Sequence, residues 1–224
     1  MEYLPGCNKR YKDVEYWNER YQTEETFEWF GDFAKFRHLL VQHVRKEENI
    51  LMLGCGNSAL SLHMYLAGYT TITNVDYSSV CVESMAQRHI DCMGMSWVCM
   101  DARRLAFPDS SFDVVMEKGT LDAMLVEERD PWNISDASVQ LLHEVLKEVN
   151  CSCSLSAHFQ LTCCYAQPCF VVDLLLHVQP SCRPEFEPQH SNTLTHLCSA
   201  PLPPSTVAFQ LCTRDLCGGP EFKS

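Results

Sequence analysis

The segment Ile50-Leu51-Met52-Leu53-Gly54-Cys55-Gly56-Asn57-Ser58-Ala59, followed by Thr71-Ile72-Thr73-Asn74-Val75-Asp76, constrains this chain more than any other. An apolar run enters a turn built on two glycines, an amphipathic stretch follows, and a second apolar run ends on an acid. That order opens a βαβ unit that cradles a nucleotide: the glycines let backbone approach the ligand, and the acid accepts from ribose hydroxyls. Alone, Gly54-x-Gly56-x-x-Ala59 is a weak signal. The plainer reading of Asp76 is a turn or helix-capping aspartate, and the strand placed just before it favours the ligand role.

The same alternation continues. Ile50–Leu53 reads as a first strand, and Leu60, Leu62, Met64, Tyr65 and Leu66 give a helix face stopped by Gly68. Thr71–Val75 is a second strand, and Ser79 is expected to cap a helix running through Val82, Met85 and Ala86 to His89. Met95–Met100 forms a third strand, ended by Asp101, and Phe112–Met116 a fourth, ended by Glu117-Lys118-Gly119. Ser135–Val149 repeats Val139, Leu142, Leu146 and Val149 at helical spacing. Strands alternating with helices predict an α/β fold with a parallel sheet covered on both faces, and a ligand at the strands' carboxyl ends.

Charge narrows the partners. Against 17 basic residues stand 29 acidic ones, a formal net charge of −12. With no Lys/Arg cluster, neither nucleic acid nor an anionic membrane is an expected partner. The first thirty residues are charged and aromatic, so no signal peptide is expected, and no apolar run reaches membrane-spanning length. A cytoplasmic protein is the expectation. Nine of the fourteen cysteines and eight of the eleven prolines fall after residue 150, where charge is sparse. None of the cysteines makes paired CxxC or Cys/His spacing, so no metal site is expected. Residues 1–150 are read as the folded domain and 151–224 as a divergent Cys/Pro-rich tail, poorly ordered beyond about residue 179, where Pro180, Pro184 and Pro188 break regular structure.

The third strand helps to choose the nucleotide. A carboxylate at Asp101 can accept an adenine amine while the N–H of Ala102 meets a ring nitrogen. An acid after strand two and another after strand three serve one adenosine, and no second half is present to hold a dinucleotide. An NAD-dependent oxidoreductase is therefore the weaker alternative. Five segments then occur in order: Glu15-Tyr16-Trp17-x-x-Arg20-Tyr21, Phe27-Glu28-Trp29-Phe30, Leu53-Gly54-Cys55-Gly56-Asn57-Ser58, Val75-Asp76-Tyr77-Ser78, and Phe112-Asp113-Val114-Val115-x-Glu117-Lys118-Gly119-Thr120-Leu121-Asp122-Ala123. Over residues 9–150 this series resembles the class I S-adenosylmethionine-dependent methyltransferases, and within them the group containing the lysine methyltransferases of elongation factor 1-alpha.

That resemblance implies a Rossmann-like sheet, S-adenosyl-L-methionine as cofactor, and protein-lysine N-methylation with elongation factor 1-alpha as substrate. It places Trp17, Tyr21 and Trp29 over the cofactor, Gly54 and Gly56 against its methionine part, and Asp76 on the ribose. Tyr77 packs on the adenine, Asp101 and Ala102 read its edge, and Lys118 faces the reaction site. The plainer readings are an aromatic core stripe for the tryptophans and a surface ion pair for Glu117-Lys118. No catalytic base is required, and none is assigned. The resemblance stops near Asn150: a Pro-Gly-Gly turn and the later strands of the family do not follow. The C-terminal strands are expected to be missing or replaced, as splicing or read-through would leave them. Strand four would then have an open edge unless Phe170–Val178 pairs with it. The alternative function is a truncated, non-catalytic form that binds cofactor or a protein partner.

Overall fold

β1 (Ile50–Leu53) carries no polar side chain, and all four of its residues are buried. It lies between β2 (Ile72–Asp76) and β4 (Phe112–Lys118), parallel to both. β3 (Met95–Cys99) pairs outside β2, also parallel. The computed structural model describes residues 4–128, 134–163, 170–174 and 210–212. Among these the sheet has the order β3-β2-β1-β4-β5-β6-β7, with β5 at Cys153–Cys163, β6 at Phe170–Leu174 and β7 at Gln210–Cys212. β5 continues the parallel set, β6 pairs antiparallel with β5, and β7 pairs antiparallel with β6.

Alternation along the strands sends side chains to two cores, because successive residues point to opposite faces. Leu51, Leu53 and Val115 join Leu121, Val145 and Val149 on one face. Ile50, Met52, Val114 and Met116 join Leu40, Val44, Leu60 and Met64 on the other. The first face is covered by α5 (Thr120–Met124) and α6 (Asp136–Ser152), the second by α2 (Phe33–His43) and α3 (Leu60–Leu66). A strand buried on both faces must be apolar throughout, so the unbroken ILML run and the two-layer cover have one cause.

Local signals placed most elements within a residue or two, and one cap differs. α4 spans Ser79–Arg88, and its N-cap is Ser78, not Ser79. The Ser78 Oγ accepts from the Cys81 N–H at 3.2 Å and donates to Asn18 Oδ1 at 2.6 Å, tying α4 to α1 (Val14–Tyr21). Ser78→Ala is expected to cost about 1 kcal/mol, read as a lower urea midpoint with unchanged slope. A midpoint equal to wild type would show that this cap contributes nothing.

The expected open edge of β4 is corrected. α6 runs to Ser152 and passes directly into β5, whose Val114↔His158 to Lys118↔Thr162 register closes that edge. Phe170–Leu174 does form a strand, but it pairs with β5 rather than β4. A register shift between Phe112 and Val114 marks where β5 departs from regular pairing. The prolines from 180 to 204 lie outside the described residues, as does the expectation about order there. The chain travels outward from β1 to β2 and β3, then returns to β4 on the other side of β1. The sheet therefore opens a crevice at the carboxyl ends of β1, β2 and β4, the place where open α/β sheets hold ligands.

Candidate active site

A cavity of about 220 Å³ occupies that crevice. Its wall includes all ten residues picked out from the sequence: Trp17, Tyr21, Trp29, Gly54, Gly56, Asp76, Tyr77, Asp101, Ala102 and Lys118. It also includes Tyr11, Lys12, Phe27, Arg103 and Thr120, which the sequence reading passed over.

The floor is the loop after β1. Gly54 and Gly56 have φ of +61° and +53°, a region where a Cβ collides with the backbone. At Gly54 a second reason operates: an added Cβ would lie 1.9 Å from Thr120 Oγ1. Thr120 Oγ1 itself donates toward the carbonyl oxygens of Leu53 and Gly54, at 3.1 and 3.2 Å. The glycine thus admits α5 to the loop as well as leaving backbone bare to the cavity. Asp76 holds the loop from the side. One carboxylate oxygen accepts from the Gly56 N–H at 2.9 Å, the other from the Ser78 N–H at 3.0 Å. Burial pushes this carboxyl up, and the N–H donors oppose it. Asp76 is therefore a turn aspartate in fact, and it also lines the cavity.

An aromatic cluster contributed by the N-terminal segment forms the opposite wall. Trp17 stacks on Tyr21 with centroids 5.5 Å apart, meets Trp29 edge-on at 6.2 Å, and donates its indole N–H to the Tyr11 carbonyl at 2.8 Å. The Arg20 guanidinium lies over Phe27, Trp29 and Trp17 at 4.6–5.6 Å, while both its Nε and Nη2 donate to Glu24. A cation thus already sits over these rings, as expected of ring faces, which attract cations. The tryptophans are core and cavity wall at once.

At the β3 end, Asp101 lies two residues past the strand and is bound by Arg103, which donates from Nε and Nη2 to both carboxylate oxygens. That contact holds the carboxyl below its ordinary range. An adenine amine reaching Asp101 must share it with Arg103. Ala102 is buried beside it, and Tyr77 is partly exposed at the rim, its hydroxyl pushed up by burial and by nearby Asp76.

Residues 50–148 match the family model described as a methyltransferase domain. That span is similar to methyltransferase domains. Mouse EEF1A lysine methyltransferase 4 is 50% identical over 150 residues, 66% of this chain and 59% of that protein. The bovine protein of the same name is 49% identical over 150 residues, with the same coverage. Bovine eEF1A lysine and N-terminal methyltransferase is 38% identical over 133 residues, 58% of this chain and 19% of that protein. The chain thus spans about three fifths of the length of the first two relatives. Seven of the ten sequence-chosen residues lie inside the matched span, and Trp17, Tyr21 and Trp29 precede it.

The end of β4 separates the two readings of Glu117-Lys118. Glu117 and Lys118 do not form a surface pair. Glu117 is buried, its Oε1 accepting from the N–H groups of Thr120 and of Leu121 (3.0 Å). Lys118 turns to the cavity side, where its ammonium donates to Glu28 at 3.0 Å and to the Trp29 carbonyl at 2.9 Å. Loss of water lowers the Lys118 pKa, against the pull of Glu28. Thr120 could have been found in sequence, as part of the Glu117–Ala123 motif. Phe27 likewise belongs to the Phe27–Phe30 segment, whereas Tyr11 carries no signal beyond being aromatic.

Cys55, Asp76 and Cys81 place one ligand atom each within 4.8 Å of one another, all buried. Burial raises the Cys55 thiol, and each Asp76 oxygen already accepts a backbone N–H. A metal would have to displace thiol protons there and disturb the loop, so this trio reads as packing beneath the glycine turn.

Proposed function

We propose that the cavity binds S-adenosyl-L-methionine and that the chain transfers its methyl group to a lysine side chain of elongation factor 1-alpha, in the cytoplasm. The observation that carries this reading is convergence. The aromatic segment, the glycine turn, Asp76, Asp101 and Lys118 line one cavity at the switch point of a methyltransferase domain. The residues suit the group. Bare backbone at Gly54 and Gly56 admits a close-lying chain, Asp76 on the cavity wall offers an acceptor suited to a ribose diol, and the ring wall of Trp17, Tyr21 and Trp29 suits a sulfonium.

When bound, the cofactor supplies a methyl group on a positively charged sulfur, which leaves as a neutral thioether. The chain has to align a neutral amine behind that methyl and keep water out. Burial does part of this. The cavity wall already lowers the pKa of Lys118 by desolvation, and a substrate lysine brought there experiences the same pressure toward its free amine. Lys118 itself is held back by Glu28 and the Trp29 carbonyl.

Calorimetric titration of S-adenosylhomocysteine into the full chain tests this, with NAD as comparison. Micromolar binding of the first and none of the second is expected, weakened at least tenfold in Asp76→Asn, since a single charge-assisted hydrogen bond to a ribose hydroxyl is worth about 1.5–3 kcal/mol. Asn is the better probe than Ala because it keeps an acceptor for one of the two backbone N–H groups. Incubation with elongation factor 1-alpha and mass spectrometry then reads methyl-lysine. Binding without transfer would support the non-catalytic alternative, and NAD binding would overturn the cofactor assignment.

A further inference from the structure

Glu28 does not line the cavity, yet it is bonded to residues from several parts of its wall. Its Oε2 accepts from Ser58 Oγ at 2.7 Å and from the Lys118 ammonium at 3.0 Å, and its Oε1 accepts from the Ala59 N–H at 2.7 Å. Those partners come from three places: the glycine loop, the residue capping α3, and the end of β4. Lys118 completes the link by donating to the carbonyl of Trp29, the next residue along from Glu28.

The segment these bonds hold has no regular structure of its own. Residues 23–32 lie between α1 and α2 without helix or strand, and Phe30 has a left-handed φ of +61°. A bulky residue in that region is strained, and persists when surrounding contacts over-determine it. Phe27 and Trp29, which flank Glu28, form part of the cavity wall. Side-chain contacts, rather than local backbone preference, therefore decide where these two rings stand. Glu24 is held by Arg20 and Asn57 at the start of the segment, and Glu28, with three donors on one carboxylate and one of them charged, is the contact between the two rings.

We infer that Glu28 is a positioning residue, pinning the Phe27–Trp29 segment across the cavity through Lys118 and the α3 N-terminus and so setting the affinity for the methyl donor. The inference rests on the proposed cofactor reading for its functional part. It acts through Trp29 and Lys118, and it touches no reacting atom.

The test uses the full chain with Glu28→Gln and Glu28→Ala. Glu28→Gln keeps an acceptor for the Ala59 N–H and loses the charge facing Lys118, so it is the milder of the two. Without ligand, amide hydrogen exchange in residues 24–32 is expected to speed up in both variants, while β1 and β4 keep wild-type protection. The dissociation constant for S-adenosylhomocysteine is expected to rise about tenfold in Glu28→Gln. The Michaelis constant for the methyl donor should rise alike, with kcat within about twofold of wild type. A residue that only stabilised the fold would lower protection everywhere and leave the Michaelis constant alone, and that result would overturn the inference. So would unchanged exchange in residues 24–32. If the wild type binds no S-adenosylhomocysteine, the cofactor reading fails by itself. Exchange in residues 24–32 then still decides whether Glu28 pins the segment.

Discussion

Gly54→Ala is expected to destabilise the fold by about 3 kcal/mol, combining a left-handed alanine with overpacking at the loop. In thermal melting that is a fall of about 6–12 °C for a chain of this size. The added carbon would stand 1.9 Å from Thr120 Oγ1, 2.6 Å from its Cγ2 and 2.8 Å from its Cβ. Thr120 is branched and bonded to the Leu53 and Gly54 carbonyls, so it cannot swing away. α5 must move instead, and with it the wall around Ala123 and Met124. A second substitution separates the two causes. In Gly54→Ala/Thr120→Ala the Oγ1 and Cγ2 collisions vanish and the Cβ contact and the backbone strain stay, so part of the loss returns. A melting temperature for Gly54→Ala within a degree of wild type would mean the loop tolerates a side chain, and the close-approach argument would be wrong.

Glu117 is expected to make stability fall as pH rises through neutrality. The carboxyl is 2% exposed, its Oε2 has no hydrogen-bond partner among the described residues, and burial followed by repulsion from Asp122 pushes it up to about 8. In the unfolded chain the same group titrates near 4.5. Between those two values the folded state holds a proton that the unfolded state has released. This contribution is therefore fully present below the unfolded value and lost as pH climbs through the folded one, at up to about 1.4 kcal/mol per unit. Glu117→Gln keeps an acceptor for the Thr120 and Leu121 N–H groups and removes the titration. Urea midpoints at pH 5, 6, 7 and 8 should show the variant near wild type at pH 5 and progressively more stable above it. Parallel curves would mean that Glu117 carries its charge in the folded protein.

Residues whose role is local were readable from sequence. ILML must be a doubly covered strand because it has no polar side to show, and the α3 face ends where Gly68 follows. The glycine turn and Asp76 were readable for a related reason: both roles are set within a few residues of a strand end. Glu28 was not. Its partners lie 30, 31 and 90 residues away, and no periodicity records a bond of that span. For Glu117 and Lys118 the plainer alternative of a surface pair fails because neighbouring strand residues point to opposite faces. β5 was hidden differently. Leu155, Ala157, Phe159, Leu161 and Cys163 alternate with Ser154, Ser156, His158, Gln160 and Thr162 at strand period, but the abrupt change in Cys and Pro content drew the reading toward a tail.

The bond between Glu28 and Lys118 also sets an order of events during synthesis. Glu28, Trp29 and the aromatic residues before them leave the ribosome 90 residues ahead of the lysine that anchors them. At ordinary elongation speeds that interval is roughly 5–20 s. Through it the nascent chain shows Trp17, Phe27 and Trp29 with no β4 to hold them, a sticky surface of the kind that chaperones engage. The wall that is built first can be fastened only last.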